Sequence, residues 1–157
     1  MASRAKPVPE GFHTATPYLI IKGAAGAIEF YKKAFAATEL MRMADPSGIV
    51  RHAEIKIGDS PFMITDENPA FPEWLSPQSR GGTPVHIYLY VDEVDAVFAR
   101  AIAAGAKQLL PVQDQFYGDR SGALTDPFGH VWYIATHTED VSPEEIKRRA
   151  ASQPHRE

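Results

Sequence analysis

One order of elements, strand–helix–strand–strand–strand, runs through this chain twice, and it limits the fold more than any other feature. Residues 16–22 (TPYLIIK) read as a buried strand, and 24–36 as a helix with Ala24, Ala27, Ile28, Tyr31 and Phe35 at helical spacing. Strand-like segments follow at 38–43, 50–57 and 61–65. The middle one alternates, with Ala53, Ile55 and Ile57 on one face and His52, Glu54 and Lys56 on the other. Residues 66–82 (DENPAFPEWLSPQSRGG) break the pattern with proline, glycine and polar side chains, as a linker does. The order then returns: a strand at 85–91 (VHIYLYV), a helix at 92–105 closed by Gly105, and strands at 108–112, 122–125 and 130–136. The stretch DQFYGDRSG that ends at Gly122 is turn-rich and predicts a movable loop, with Tyr117, Asp119 and Arg120 in a glycine-flanked turn.

The expected fold class is α+β, two βαβββ modules in a single domain over residues 14–139. Module one covers 16–65, the linker 66–82 and module two 83–136, with a flexible N-terminus at 1–13 and a C-terminal helix or tail at 140–157. Ser142 followed by Glu145 makes a capping box for that helix, which reads as a solvated tail or a partner contact. A length of 157 residues, 44% of them hydrophobic, suffices for one real core. A net charge of -4 with no dominant basic patch argues against a nucleic-acid partner. Without cysteine, disulfides and thiolate metal sites are excluded. Residues 1–11 are polar and proline-rich with no apolar core, so no secretory leader is expected. No apolar run approaches the roughly 20 residues of a membrane span. The expectation is a cytoplasmic protein with no membrane partner.

Four segments carry a family likeness in the right order. AIEFYKKAFAA resembles the first helix of the vicinal oxygen chelate superfamily, the glyoxalase, bleomycin-resistance and extradiol dioxygenase group. HIYLYVDEVDAVFARAIAAGA is similar to the start of that family's second module, and LTDPFGHVWYIATH to its last turn and strand. HAEIKIGDSPFMITDE, the FYGDRSG loop and DPFGHVW together resemble the PhnB-like subgroup. The resemblance implies two modules whose curved sheets face a cavity. It also implies metal-ligand positions at Thr16, Met63, His86 and Tyr133. The step from Thr16 to His86 equals that from Met63 to Tyr133, 70 residues. Of these four only His86 is a competent ligand, and one imidazole without a carboxylate is a poor site for a divalent ion. No metal and no other cofactor is therefore expected, a divalent metal remaining the alternative. An unusual set of His52, Glu54 and His86 is the other metal arrangement open to the chain. Family members of this size usually pair, so a homodimer is expected.

Strand parity sorts the cavity lining. Tyr18 goes with Thr16, Tyr88 and Tyr90 with His86, and Thr65 with Met63, while His52 and Glu54 lie on the polar face of their strand. Tyr117 and Arg120 border the cavity by resemblance, and Arg120 is a fork for a carboxylate or phosphate. The candidate ligand contacts are thus Tyr18, His52, Glu54, Met63, His86, Tyr88, Tyr90, Tyr117, Arg120 and Tyr133. Each also has a plainer role: tyrosines are favoured in strands, His86 suits a core hydrogen bond, and Arg120 suits a surface ion pair. Trp74 either caps a cavity mouth or anchors the linker. No nucleophile–base pair, phosphate loop or dinucleotide fingerprint stands out. The expected function is metal-free binding of a small aromatic or amphipathic molecule. The alternative is a lyase, isomerase or dioxygenase that uses a metal, or Glu54 with His52 or His86, as acid and base.

Overall fold

A computed structural model describes residues 5–154. The chain divides into two compact units, the first built from Met1–Pro84 with Pro127–His130, the second from Val85–Asp126 with Val131–Glu157. Each contains one βαβββ module.

In the first unit β1 (Tyr18–Ile21) leads to α1 (Ala24–Phe35), then β2 (Thr38–Ala44), β3 (Val50–Ile57) and β4 (Ser60–Asp66). The sheet order is β1-β4-β3-β2, with β1 parallel to β4 and the other pairs antiparallel. Burial follows the alternation seen in the sequence. Ala53, Ile55 and Ile57 are buried on the side that α1 covers with Ala27, Ile28, Tyr31 and Phe35. His52, Glu54 and Lys56 occupy the other face. Asp66, the last residue of β4, fixes the start of the helix: its carboxylate accepts from the Gly23, Ala24 and Val50 amides at 3.0, 2.7 and 2.8 Å. Free helical N–H groups are thereby satisfied, and helix and sheet are tied together.

The second unit repeats the plan with β5 (His86–Tyr90), α3 (Val94–Ala103), β6 (Lys107–Asp114), β7 (Asp119–Thr125) and β8 (Val131–His137), in the order β5-β8-β7-β6. Its α3 packs on β6, β7 and β8. Phe98, Leu124, Trp132 and Ile134 are buried, and the Trp132 indole donates to Asp126 at 2.9 Å. The C-terminal α4 (Pro143–Ala151) is capped by the Ser142 hydroxyl, which accepts from the Glu145 amide at 3.2 Å.

The fold class is α+β as expected, with three local differences. The linker contains a short helix, α2 (Pro77–Arg80), whose N-cap is the buried Ser76. The first strand starts at Tyr18, so Thr16 lies ahead of it. The stretch expected as a movable loop is mostly strand. β6 runs to Asp114 and β7 begins at Asp119, leaving a tight turn closed by Gln115 N–H donating to Asp119 O at 2.7 Å. Gly118 makes the turn possible with φ 101°. Among the described residues no helix is long and apolar enough to cross a membrane.

Candidate functional site

Each sheet has one face under the helix of its own module, and the opposite faces carry the candidate residues; in the second unit α4 borders that opposite face at one end. In the second unit β5 alternates. Leu89 is buried, while His86, Tyr88 and Tyr90 project to the open side, where Tyr133 of β8 is the register partner of Tyr88. The four rings form a row. His86 stacks on Tyr133 with centroids 5.8 Å apart, Tyr133 on Tyr88 at 5.6 Å and 9°, and Tyr88 meets Tyr90 at 5.2 Å. These are favourable aromatic geometries, yet Tyr88 and Tyr90 stay 41% and 60% exposed. The rings are ordered by one another and still accessible.

A buried charge anchors the row. Asp119 opens β7 opposite His137 of β8 and is only 4% exposed. Its Oδ2 accepts from the Tyr88 and Tyr90 hydroxyls at 2.8 and 3.0 Å, and its Oδ1 meets His137 Nδ1 at 2.8 Å. The second ring nitrogen of His137 lies 2.8 Å from Asp140 Oδ1. A neutral imidazole has one N–H, so only the imidazolium donates to both carboxylates. His137 is accordingly held above its ordinary pKa, first by Asp119 and then by Asp140. Burial works to raise the Asp119 pKa, but the contacts with His137, Tyr88 and Tyr90 together outweigh it and keep the carboxyl below its usual value. Tyr88 is pushed far up by burial and by its bonds to Asp119 and Tyr117, and Tyr90 shifts the same way through burial and Asp119. Both phenols are therefore neutral and donate to an anion. A cavity of about 460 Å³ opens at this end of the sheet, lined by Tyr90, Tyr117, Asp119, His137, Asp140 and the start of α4.

Arg120 takes a different place from the one expected. It follows Asp119 in β7 and so faces the other side of the sheet. Its fork is filled by Asp95 of α3, with Nε and Nη2 each 2.8 Å from a carboxylate oxygen, and Asp114 lies 3.3 Å from Nη1. The residue braces the sheet against α3.

The open face of the first unit is built from Tyr18, His52, Glu54 and Met63. Met63 is the register partner of both Tyr18 and Glu54. The Tyr18 hydroxyl lies 3.2 Å from His52 Nδ1, and His52 Nε2 lies 3.2 Å from Glu54 Oε1, a polar chain across the sheet. Met41 and Met43 of β2 stand opposite Glu54 and His52, and both are exposed. Thr65, expected beside Met63, is buried, its hydroxyl donating to the Arg51 carbonyl at 3.0 Å. Trp74 meets Tyr18 edge-on at 6.2 Å and stacks on Phe71 at 4.6 Å, so it ties the linker to the candidate face. A second cavity, about 660 Å³, has Ile49, Phe71, Trp74 and Leu75 among its walls.

The residues at the metal-ligand positions do not fit a divalent ion. The first unit supplies a threonine ahead of β1 and a thioether in β4, and the second an imidazole stacked on a phenol. His52 and Glu54 are engaged with Tyr18 and each other. Among the described residues no group of three or more His, Asp or Glu side chains is arranged to hold a metal ion.

Two four-stranded mixed sheets from repeated βαβββ modules, each with a helix on one face and polar and aromatic residues on the other, define a class of paired-module proteins. The model of the Glyoxalase/Bleomycin resistance protein/Dioxygenase superfamily matches residues 12–134, and the chain belongs to that family. It is 42% identical over 140 residues to the uncharacterized protein Rv0887c of Mycobacterium tuberculosis, covering 88% of this chain and 82% of that one. Among solved structures it is similar to an Arabidopsis thaliana gene product, At5g48480, at 28% identity and a TM-score of 0.62 over 79% of this chain and 98% of that one. A PhnB protein from Bacillus cereus shares the fold at 22% identity and a TM-score of 0.61, over 79% and 99% of the two chains.

Proposed function

We propose that the protein binds a small aromatic or amphipathic molecule without a bound metal, holding it against the tyrosine face of the second unit. The observation that carries this reading is the row His86–Tyr133–Tyr88–Tyr90, its first three rings stacked and Tyr90 tilted against Tyr88, yet exposed at Tyr88 and Tyr90. Tyrosines that only filled a core would be covered; here the faces are open and the hydroxyls are already positioned by Asp119. Each aromatic contact adds about 0.5–1.5 kcal/mol beyond area burial. Two or three of them, with the buried area, bring a ligand to roughly micromolar affinity after the cost of association. His52, Glu54, Met63 and Tyr18 give the first unit a more polar face of its own, open to a second molecule. We propose further that the chain works as a homodimer in the cytoplasm; a monomer mass in light scattering at micromolar concentration contradicts the pairing.

The test is a thermal-shift screen of small aromatic compounds on the wild type and Tyr88→Ala. A hit that stabilises the wild type and not a folded Tyr88→Ala variant supports the reading. No hit, together with an unfolded Tyr88→Ala, assigns the tyrosines to structure and ends it.

The Tyr18–His52–Glu54 chain favours a second reading, acid–base chemistry on the bound molecule, since a carboxylate orients an imidazole whose other nitrogen meets a hydroxyl. Mass spectrometry of ligand recovered from the wild type and from Glu54→Gln separates the two readings. Chemical change by the wild type alone indicates an enzyme.

A further inference from the structure

The pocket at the Tyr90 end of the second unit has a chemical character of its own. Tyr90 and Tyr117 line it together with Val141 and Ile146, its charged groups are Asp119, Asp140 and His137, and its volume is about 460 Å³, room for a small charged head group. We propose that this pocket takes the positively charged end of the ligand, an ammonium group carried on an aromatic body. The proposal rests on the aromatic-binding reading above and names the ligand's class.

Three observations point to a cation. First, two carboxylates reach the pocket, and one of them, Asp119, is almost completely buried. His137 already bridges the pair at 2.8 Å on each side. Counted as an imidazolium, it still leaves one negative charge on the lining. Second, two tyrosine rings flank these acids, and a ring face attracts a cation within about 6 Å of its centroid. Third, the hydroxyl of Tyr90, in the pocket lining, gives its proton to Asp119. Its oxygen therefore offers lone pairs to a ligand, which suits an N–H or N–CH₃ donor and repels an anion.

One feature opposes this. The amino end of α4 lines the pocket through Ser142, and a helix N-terminus carries roughly half a positive charge. That half charge is fronted by Glu144 and Glu145 in the first turn, and the Glu145 amide is already taken by the Ser142 hydroxyl. The net negative charge left on the lining by Asp119, Asp140 and His137 outweighs what remains. The nearby guanidinium of Arg149 is bound by Glu139 and Glu145, so it supplies no anion anchor here.

The experiment titrates the full chain by calorimetry with three benzene derivatives of similar size: benzyltrimethylammonium, benzyl alcohol and phenylacetate. The cation is expected to bind about ten-fold tighter than the alcohol, a size typical of a partly desolvated cation–π contact, with phenylacetate weakest. Asp140 is exposed, so Asp140→Asn keeps the fold; it should weaken the ammonium about 3- to 5-fold, the scale of an exposed charge pair, and leave the alcohol unchanged. Tyr117→Leu should weaken the ammonium as well. Equal affinity for cation and alcohol, or tighter binding of phenylacetate, overturns the cation assignment while the aromatic-binding reading stands. Failure of all three probes to bind overturns both.

Discussion

Replacing Asp119 with alanine removes the acceptor that two tyrosine hydroxyls share at 2.8 and 3.0 Å. Hydrogen bonds to a charged group are worth about 1.5–3 kcal/mol when well buried. Tyr88 and Tyr90 are 41% and 60% exposed, so their hydroxyls are rehydrated once the carboxylate is gone. Discounted for that, each bond contributes about 0.5–1 kcal/mol, and the pair about 1–2 kcal/mol. Against a total stability of roughly 5–15 kcal/mol this is measurable, a fall in Tm of about 2–8 °C for a chain of this size. The sharper form is a double-mutant cycle in urea, read by circular dichroism. Tyr88→Phe should cost about 0.5–1 kcal/mol in the wild type and almost nothing in Asp119→Ala, because the bond it breaks is already absent. If Tyr88→Phe costs the same in both backgrounds, the two residues are not coupled and Asp119 does not position the ring row.

His137 provides a pH signature. Its pKa is raised in the fold, so its contribution to stability is full below the ordinary value of 6.5 and is lost as pH rises through the folded value. An NMR titration should place the His137 midpoint above 6.5 and move it down in Asp119→Asn; an unchanged midpoint contradicts the bridge. Gly118→Ala should lower stability by about 1–3 kcal/mol or prevent folding, because φ is 101° there and a Cβ would overlap the Glu139 carbonyl oxygen; chemical denaturation measures it. Protein purified without chelator should carry divalent metal far below one ion per chain by elemental analysis, and stoichiometric zinc, nickel or iron that disappears in His86→Ala refutes that.

The modules were legible because periodicity in this chain is local. HAEIKI alternates in sequence and in burial, and the helices carry apolar residues at helical spacing with Gly105 just beyond the second. The ring row was legible for the same reason, since parity alone puts His86, Tyr88 and Tyr90 on one side. Asp119 was not. It lies in a turn-rich stretch, and its partners Tyr88 and Tyr90 are 31 and 29 residues away, beyond any local pattern. Once β7 is known to begin at Asp119, the reversal of Arg120 follows from parity too. Met41 and Met43 were missed because β2 is an edge strand exposed along almost all its length, leaving no burial alternation for the sequence to display.

Metal-free binding on the tyrosine face is open to a single titration. An aromatic compound found by thermal shift is titrated calorimetrically into chelator-treated wild type and chelator-treated Tyr88→Ala. Roughly micromolar affinity is expected for the wild type, unchanged by chelation, with at least about a ten-fold loss in Tyr88→Ala, which corresponds to about 1.4 kcal/mol. Binding that vanishes with chelator and returns with added metal, or that is indifferent to Tyr88→Ala, contradicts it.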